Sequence, residues 1–279
     1  MAVDQQRLEI YEIAEAIAPT WERRRAEVEA VMTPVREWML RELSPRAGET
    51  VLELAAGVGE TGFDTATVVG EHGRVICSDF SPAMVDAARR RGAERGLENV
   101  DYRVIDAEQI KLETDSVDGV LCRLGYMLMA DRAQALAETR RVLRTGGRLA
   151  LAVWGSMEQN PFFTVIAIAL TQHGHLPPPE PPGPPVFSMA SADRTTALLE
   201  RTGFAGVRTE EVAVRFEVPD TDGYLSLVAD TAGPLGLALQ ALSESDRKAV
   251  KADVEDSIAR FRSGRGYEFP GIALCAVGQ

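Results

Sequence analysis

Val51-Leu52-Glu53-Leu54-Ala55-Ala56-Gly57-Val58-Gly59-Glu60-Thr61-Gly62 decides how this chain is read. An apolar strand carrying one acid, Glu53, runs into a glycine-spaced turn of small residues, and a helical pattern follows. Gly57 and Gly59 lack a Cβ, so the backbone can turn tightly and a ligand can lie almost against the main chain. The first amides of the next helix then point at that ligand. An α/β sheet builds a nucleotide site in this way at the carboxyl end of its first strand.

Two nucleotides compete for such a turn, because Gly57, Gly59 and Gly62 also satisfy the G-x-G-x-x-G spacing of dinucleotide binders. In that version the helix N-terminus holds a pyrophosphate, and the strand runs apolar into the first glycine. Glu53 would repel a pyrophosphate, whereas it favours the ammonium and sulfonium charges of S-adenosylmethionine. The strands that follow agree. Val75-Ile76-Cys77-Ser78-Asp79 reads as a second strand ending in an acid that can accept both ribose hydroxyls, with Phe80 beside it. Ser81-Pro82 starts a helix, Ser81 as N-cap and Pro82 in the first position, and Met84 then faces back to cover an adenine. A third strand, Val100 to Ile105, leads into Asp106-Ala107-Glu108, where an acid can take the adenine amino group. A fourth, Val117 to Cys122, runs into Arg123-Leu124-Gly125-Tyr126. Asp131 then caps a helix ending at Leu143, and Arg144-Thr145-Gly146-Gly147-Arg148 turns into the strand Leu149–Trp154.

In this order the motifs Glu53-x-Ala55-x-Gly57-x-Gly59, Asp79, Asp106-Ala107-Glu108 and Leu143-Arg144-Thr145-Gly146-Gly147 resemble those of the class I S-adenosylmethionine-dependent methyltransferases. The likeness is greatest to the small-molecule group that includes the ubiquinone/menaquinone-biosynthesis C-methyltransferases, and it covers about Glu49 to Trp154. Ala55 stands where that family usually has glycine. The resemblance implies an α/β fold with a doubly wound, mostly parallel seven-stranded sheet, its last strand antiparallel, and helical lid insertions. It implies S-adenosyl-L-methionine as cofactor, held by Glu53, Ala55, Gly57, Gly59, Asp79, Phe80, Met84, Asp106, Ala107, Glu108, Arg123 and Leu124. A small-molecule methyl acceptor is the partner it implies.

Composition agrees. The 279 residues suit one large α/β domain with a small lid. A net charge of −12 opposes a nucleic-acid partner, whose phosphates call for basic side chains. Cys77, Cys122 and Cys275 are odd in number and lie in expected strands, so they read as buried thiols of a reducing compartment rather than disulfides or a metal site. No run approaches the ~18 apolar residues of a membrane span, and the N-terminus is acidic and polar, so the expectation is a cytoplasmic protein with no membrane partner. Nothing in the residues sets an oligomeric state, and a homodimer stays open.

Residues 1–45 read as an N-terminal helical cap of two or three helices, broken at Ala18-Pro19 and Thr33-Pro34. Residues 46–279 read as the α/β domain, with lid insertions at about 155–190 and 219–265. The first insertion opens with an apolar helix from Asn160-Pro161 to about Leu170 and continues in a proline-rich loop, Pro177 to Pro185. Ser191 caps another helix, Val207–Val218 alternates as a strand, Ser243 opens the last helix, and Phe269–Val277 closes the sheet.

Catalytic candidates are Tyr126, as a wall of the transfer site or as core, and His173 and His175, as general bases or as solvated residues beside the proline loop. Tyr11, Trp21 and Phe162 are lid or substrate contacts if they are not core. The apolar and aromatic residues of the expected lid hint at a small apolar or aromatic acceptor. No cluster of Cys and His supports a metal. Two rivals remain. A short-chain nicotinamide-dependent oxidoreductase would need a Tyr-x-x-x-Lys pair, and Lys111, Lys248 and Lys251 have no tyrosine four residues earlier. A non-catalytic S-adenosylmethionine-binding protein would share every cofactor residue.

Overall fold

The structure is a computed structural model that describes residues 2–179 and 185–279, the side chains of residues 2–4 excepted. Of the expected proline-rich loop, residues 180–184 therefore lie outside the described residues. Eight strands form one sheet: β1 (Thr50–Leu54), β2 (Arg74–Asp79), β3 (Val100–Val104), β4 (Val117–Arg123), β5 (Leu143–Trp154), β6 (Arg208–Val218), β7 (Arg262–Ser263) and β8 (Gly266–Gly278). Their order is β3-β2-β1-β4-β5-β8-β6, with the two-residue β7 hairpinned onto β8. The seven expected strands are present, and β7 is an addition. β1 to β5 pair in parallel, and β8 runs antiparallel to both β5 and β6.

Parallel strands covered on both faces must be apolar throughout. β5 shows this from Leu149 to Val153, all fully buried. It also begins earlier than expected, at Leu143, because Leu143 pairs with Val117 before the register shifts across the Arg144–Gly147 turn. The winding reverses where β1 lies beside β4, and sheets of this kind bind ligands at the carboxyl ends of the strands beside such a reversal.

The helices are α1 (Ala2–Leu43), α2 (Glu60–Val69), α3 (Pro82–Glu94), α4 (Arg132–Val142), α5 (Pro161–Gln172), α6 (Ala192–Arg201), α7 (Thr221–Thr231), α8 (Pro234–Gln240) and α9 (Glu244–Ile258). Ser81, Asp131, Ser191, Asp220 and Ser243 each accept an amide hydrogen bond as N-caps.

The expected breaks in the first 43 residues do not occur: α1 is one helix with Pro19 and Pro34 inside it. Each proline removes one backbone donor and crowds the carbonyl four residues earlier. Tertiary contacts outweigh that local cost. Val31, Met32, Val35, Trp38, Met39 and Leu43 form a buried stripe at helical spacing, and the indole of Trp38 donates to Glu210 of β6 at 2.8 Å. Residues 31–43 are thus part of the main core. Further back, the Thr20 hydroxyl and the Trp21 indole donate to the Asp230 and Thr231 carbonyls of α7, and Arg24 pairs with Asp230 at 2.7 Å.

A second aromatic centre ties α5 and α7 to the β6–β8 pair. Phe162 stacks on Phe216 at 4.0 Å and meets Tyr224 and Phe269 edge-on, while the Tyr224 hydroxyl donates to the Phe162 carbonyl at 2.6 Å. Phe162 was a candidate lid contact; at 1% exposure it is a core residue. Asn160 anchors the same corner, exchanging hydrogen bonds with the backbone of Ile272.

Candidate functional site

The site forms at the carboxyl ends of β1 to β4. Asp79 ends β2, and its two carboxylate oxygens each accept one amide bond, from Gly57 at 2.9 Å and from Ser81 at 3.0 Å. Burial pushes its pKa up, and the amides of Ser81, Gly57 and Phe80 oppose that by stabilising the charge. A carboxylate offers about four acceptor positions. The amides of Gly57 and Ser81 take one position on each oxygen and fix the β1–α2 turn against the start of α3.

Above the turn, Gly57 has φ +54° and a Cβ there would meet only open space. Gly59 has φ +91°, and a Cβ there would overlap the ring of Phe63. Ala55 and Leu124 also sit at positive φ, 50° and 61°, at the tips of β1 and β4. Such backbone is costly for residues with a Cβ and clusters at functional sites.

Glu53 is buried beneath this turn at 2% exposure. Gly62 makes room for it, since a Cβ on Gly62 would overlap Glu53 Oε2. That oxygen has no hydrogen-bond partner among the described residues. Burial pushes the Glu53 pKa up to about 8, although the nearby Arg123 guanidinium lowers it. Burial thus favours the neutral carboxylic acid, and an approaching cation would favour its ionised form.

On the other side of β2, Phe80, Ile105, Asp106 and Gln109 line a cleft of about 370 Å³, within the range of small-molecule sites. Asp106 accepts the Glu108 amide at 2.8 Å, and Arg7 of α1 reaches both acids, Asp106 at 3.2 Å and Glu108 at 2.9 Å. Tyr11 meets Phe80 edge-on at 5.7 Å, and Glu15 accepts from Ser81 and from the Ala83 amide at the start of α3.

Residues 51–147, about a third of the chain, match the family described as a methyltransferase domain. Residues 51–147 thus carry the sequence pattern of a methyltransferase domain. The chain is 34% identical to a ubiquinone/menaquinone-biosynthesis C-methyltransferase of Hahella chejuensis, over 42% of this chain and 47% of that protein. It is 31% identical to the aklanonic acid methyltransferase of a Streptomyces species, over 42% of this chain and 54% of that one. The chain spans between about a quarter and a half of the length of such curated relatives, 27% to 54%. Its fold is similar to that of the YcgJ protein of Bacillus subtilis, with a TM-score of 0.59 at 20% identity, over 87% of this chain and 96% of that one.

The residues at these strand ends fit S-adenosylmethionine, the cofactor that the resemblance implies. Asp79 keeps acceptor capacity for the ribose, Gly57 leaves space above the backbone, and Glu53 has an unpartnered oxygen for a cation. Met84 and Ala107 are buried close by, on α3 and after β3.

Four candidates are committed elsewhere. Glu108 is at 4% exposure and its oxygens are taken by the Ala130 amide and Arg7, so it ties the β4–α4 loop to α1. Tyr126 is fully buried and its hydroxyl is bonded to Thr139 of α4 at 2.6 Å. Burial pushes its pKa far up, so it is a neutral core phenol and not a wall of the cleft. His173 caps the end of α5 and pairs with Asp253 of α9 at 2.8 Å. The structure does not bring His173 or His175 together with the residues around Asp79. Trp21 is bonded to α7, as described above.

The sequence reading missed Arg7, Glu15 and Glu29. A signal was available: Glu15, Glu22, Glu29 and Arg36 recur every seven residues, two helical turns, and so share one face of α1. That face bonds Ser81, Arg90, Arg123 and Asp64 in turn.

Proposed function

We propose that this chain transfers the methyl group of S-adenosylmethionine to a small apolar or aromatic acceptor. The observation that carries the cofactor half is Asp79, a buried carboxylate whose amide bonds hold the glycine turn and the start of α3 around its own spare acceptor positions. S-adenosylmethionine supplies an electrophilic methyl group on a sulfonium. The residues of the chain would bind, orient and exclude water: Asp79 on the ribose, Phe80 and Met84 on the adenine, Glu53 near the positive end.

For the acceptor, support comes from the apolar wall at the tip of β5. Trp154 lies 5.1 Å from Phe163, which lies 6.5 Å from Phe187, and both phenylalanines are only half-buried. Met127 joins this wall to the tip of β4, with its sulfur accepting from the Trp154 amide and its carbonyl from Ser188. The contacts of α1 with α3 and α7 suit a lid over both halves. Three free, buried cysteines fit a reducing compartment, so we place the protein in the cytoplasm.

Titration calorimetry tests the cofactor, with S-adenosylmethionine and S-adenosylhomocysteine expected to bind and NADH not. Transfer of labelled methyl to a panel of phenols and quinols tests the acceptor. Binding without transfer to any of them would leave a cofactor-binding protein and remove the enzymatic reading.

Glu53 also predicts a proton signature. In the folded chain it keeps its proton to about pH 8, against about 4.5 for an ordinary glutamate. The unfolded chain therefore holds fewer protons between these values, and Glu53 lowers stability as pH rises across that window. A bound cation pulls the pKa down, so binding at pH 7 releases a proton. Calorimetry in buffers of different ionisation enthalpy will show that release, and it will vanish in Glu53→Gln. The variant will also be more stable than the wild type at pH 8 in the absence of ligand.

A further inference from the structure

Arg132 is the first residue of α4, directly after the N-cap Asp131. A cation is disfavoured there, because the unpaired amides of a helix start already carry partial positive charge. The side chain is also half-buried, and burial works against its charge. An arginine does not escape that cost by losing its proton, so its site calls for a partner.

The guanidinium has almost none. Its Nε is buried without a hydrogen-bond partner among the described residues, and its Nη2 reaches only the Met127 carbonyl, at 3.5 Å. That carbonyl already accepts from the Ser188 hydroxyl at 3.0 Å. The acids that act on Arg132 through space, Asp131 and Glu108, are engaged elsewhere. Asp131 accepts the Gln134 amide, and Glu108 holds the Ala130 amide and Arg7. Nε and Nη2 form the edge with which a guanidinium grips a carboxylate through two parallel bonds. Arg90 uses that edge on Glu22, at 3.2 and 2.7 Å, and Arg141 uses it on Glu138, at 2.8 Å for both bonds. On Arg132 the same edge is open.

Its surroundings indicate what would fill it. Met127 lies in the turn Tyr126–Leu128 after β4, and its sulfur accepts from the Trp154 amide at the tip of β5. Ser188, on the same carbonyl as Arg132, directly follows Phe187 of the apolar wall. One backbone carbonyl thus joins the guanidinium to the aromatic wall. With a net charge of −12, the chain as a whole repels anions, so an acidic ligand needs a local cation of this kind.

We propose that Arg132 determines acceptor specificity: the methyl acceptor is an aromatic acid whose carboxylate is received by the Nε–Nη2 edge while its ring packs on the apolar wall. The assignment rests on the acceptor reading above and narrows it from apolar or aromatic molecules to those that carry a carboxylate. It also gives the first turn of α4 a part in substrate recognition.

Calorimetry on the protein saturated with S-adenosylhomocysteine tests this, with a hydroxynaphthoate and the naphthol that lacks only its carboxylate. A hydrogen bond between charged groups is strong enough that the wild type will favour the naphthoate by on the order of 10- to 100-fold. Arg132→Met will lose that preference by weakening the naphthoate alone, with naphthol and S-adenosylhomocysteine bound as before. Arg132→Lys will keep part of it, since the ammonium retains the charge without the fork. A merely structural role would weaken both naphthalene compounds in parallel, and that result overturns the proposal. If Arg132→Met does not fold, the wild-type ratio and Arg132→Lys decide by the same criteria. Equal wild-type affinities for the two compounds keep the acceptor reading and overturn this one. If neither compound binds the saturated protein, the acceptor reading fails and this assignment with it. If S-adenosylhomocysteine itself does not bind, the cofactor reading fails first.

Discussion

Asp79→Ala will lower the affinity for S-adenosylhomocysteine by on the order of 100-fold or more, because each hydrogen bond to a charged group contributes roughly 1.5–3 kcal/mol and two ribose hydroxyls are expected on this carboxylate. The change also frees the Gly57 and Ser81 amides that the carboxylate now holds. The turn at positive φ and the cap of α3 would both loosen, which adds to the loss. Calorimetry reads the affinity, and circular dichroism shows whether the fold survives. Asp79→Asn separates the two effects, since its amide oxygen can still accept one backbone bond while the charge is gone. Wild-type affinity in Asp79→Ala would rule out the ribose assignment.

Phe162→Ala will destabilise the fold by about 3–5 kcal/mol, the usual cost of deleting a buried aromatic ring. Against a domain stability of about 5–15 kcal/mol, that is a large share. The ring touches Phe163, Phe216, Tyr224 and Phe269, so the cavity would open where α5, α7 and the β6–β8 pair meet. Urea unfolding will show the midpoint fall. Affinity for the cofactor in the folded protein will stay at the wild-type value, because the residues around Asp79 lie on other elements. If Phe162 were a substrate contact instead, the midpoint would hold and acceptor methylation would fall.

Glu53, Gly57, Asp79 and Asp106 were legible because each is bound to a strand end by local pattern: an apolar run, then an acid or glycine, then a helix start. The parallel order of β1 to β5 followed from strands alternating with helices. The positions of Tyr126, Phe162 and His173 were not legible in that way. An aromatic residue or a histidine has the same local signature whether it lines a cleft or packs inward. Only the partners decide: Thr139 for Tyr126, the Phe216 ring for Phe162, Asp253 for His173.

The unbroken α1 makes the same point about backbone. Pro19 and Pro34 locally favour a break, and the sequence window around them holds nothing that opposes it. What opposes it lies far along the chain, in Glu210 and Asp230, and in the sheet that buries Met39 and Leu43.

Read alone, the order of residues determined the strand sequence and the glycine turn. These depend on neighbours within a few positions, and short-range sterics and Coulomb forces act at that range. The three-dimensional packing decided which acids are tied up in pairs, why burial favours the neutral form of Glu53, and how Glu29 comes to brace Arg123 from 94 residues away. Burial and long-range pairing set those properties, and neither exists until the chain has folded.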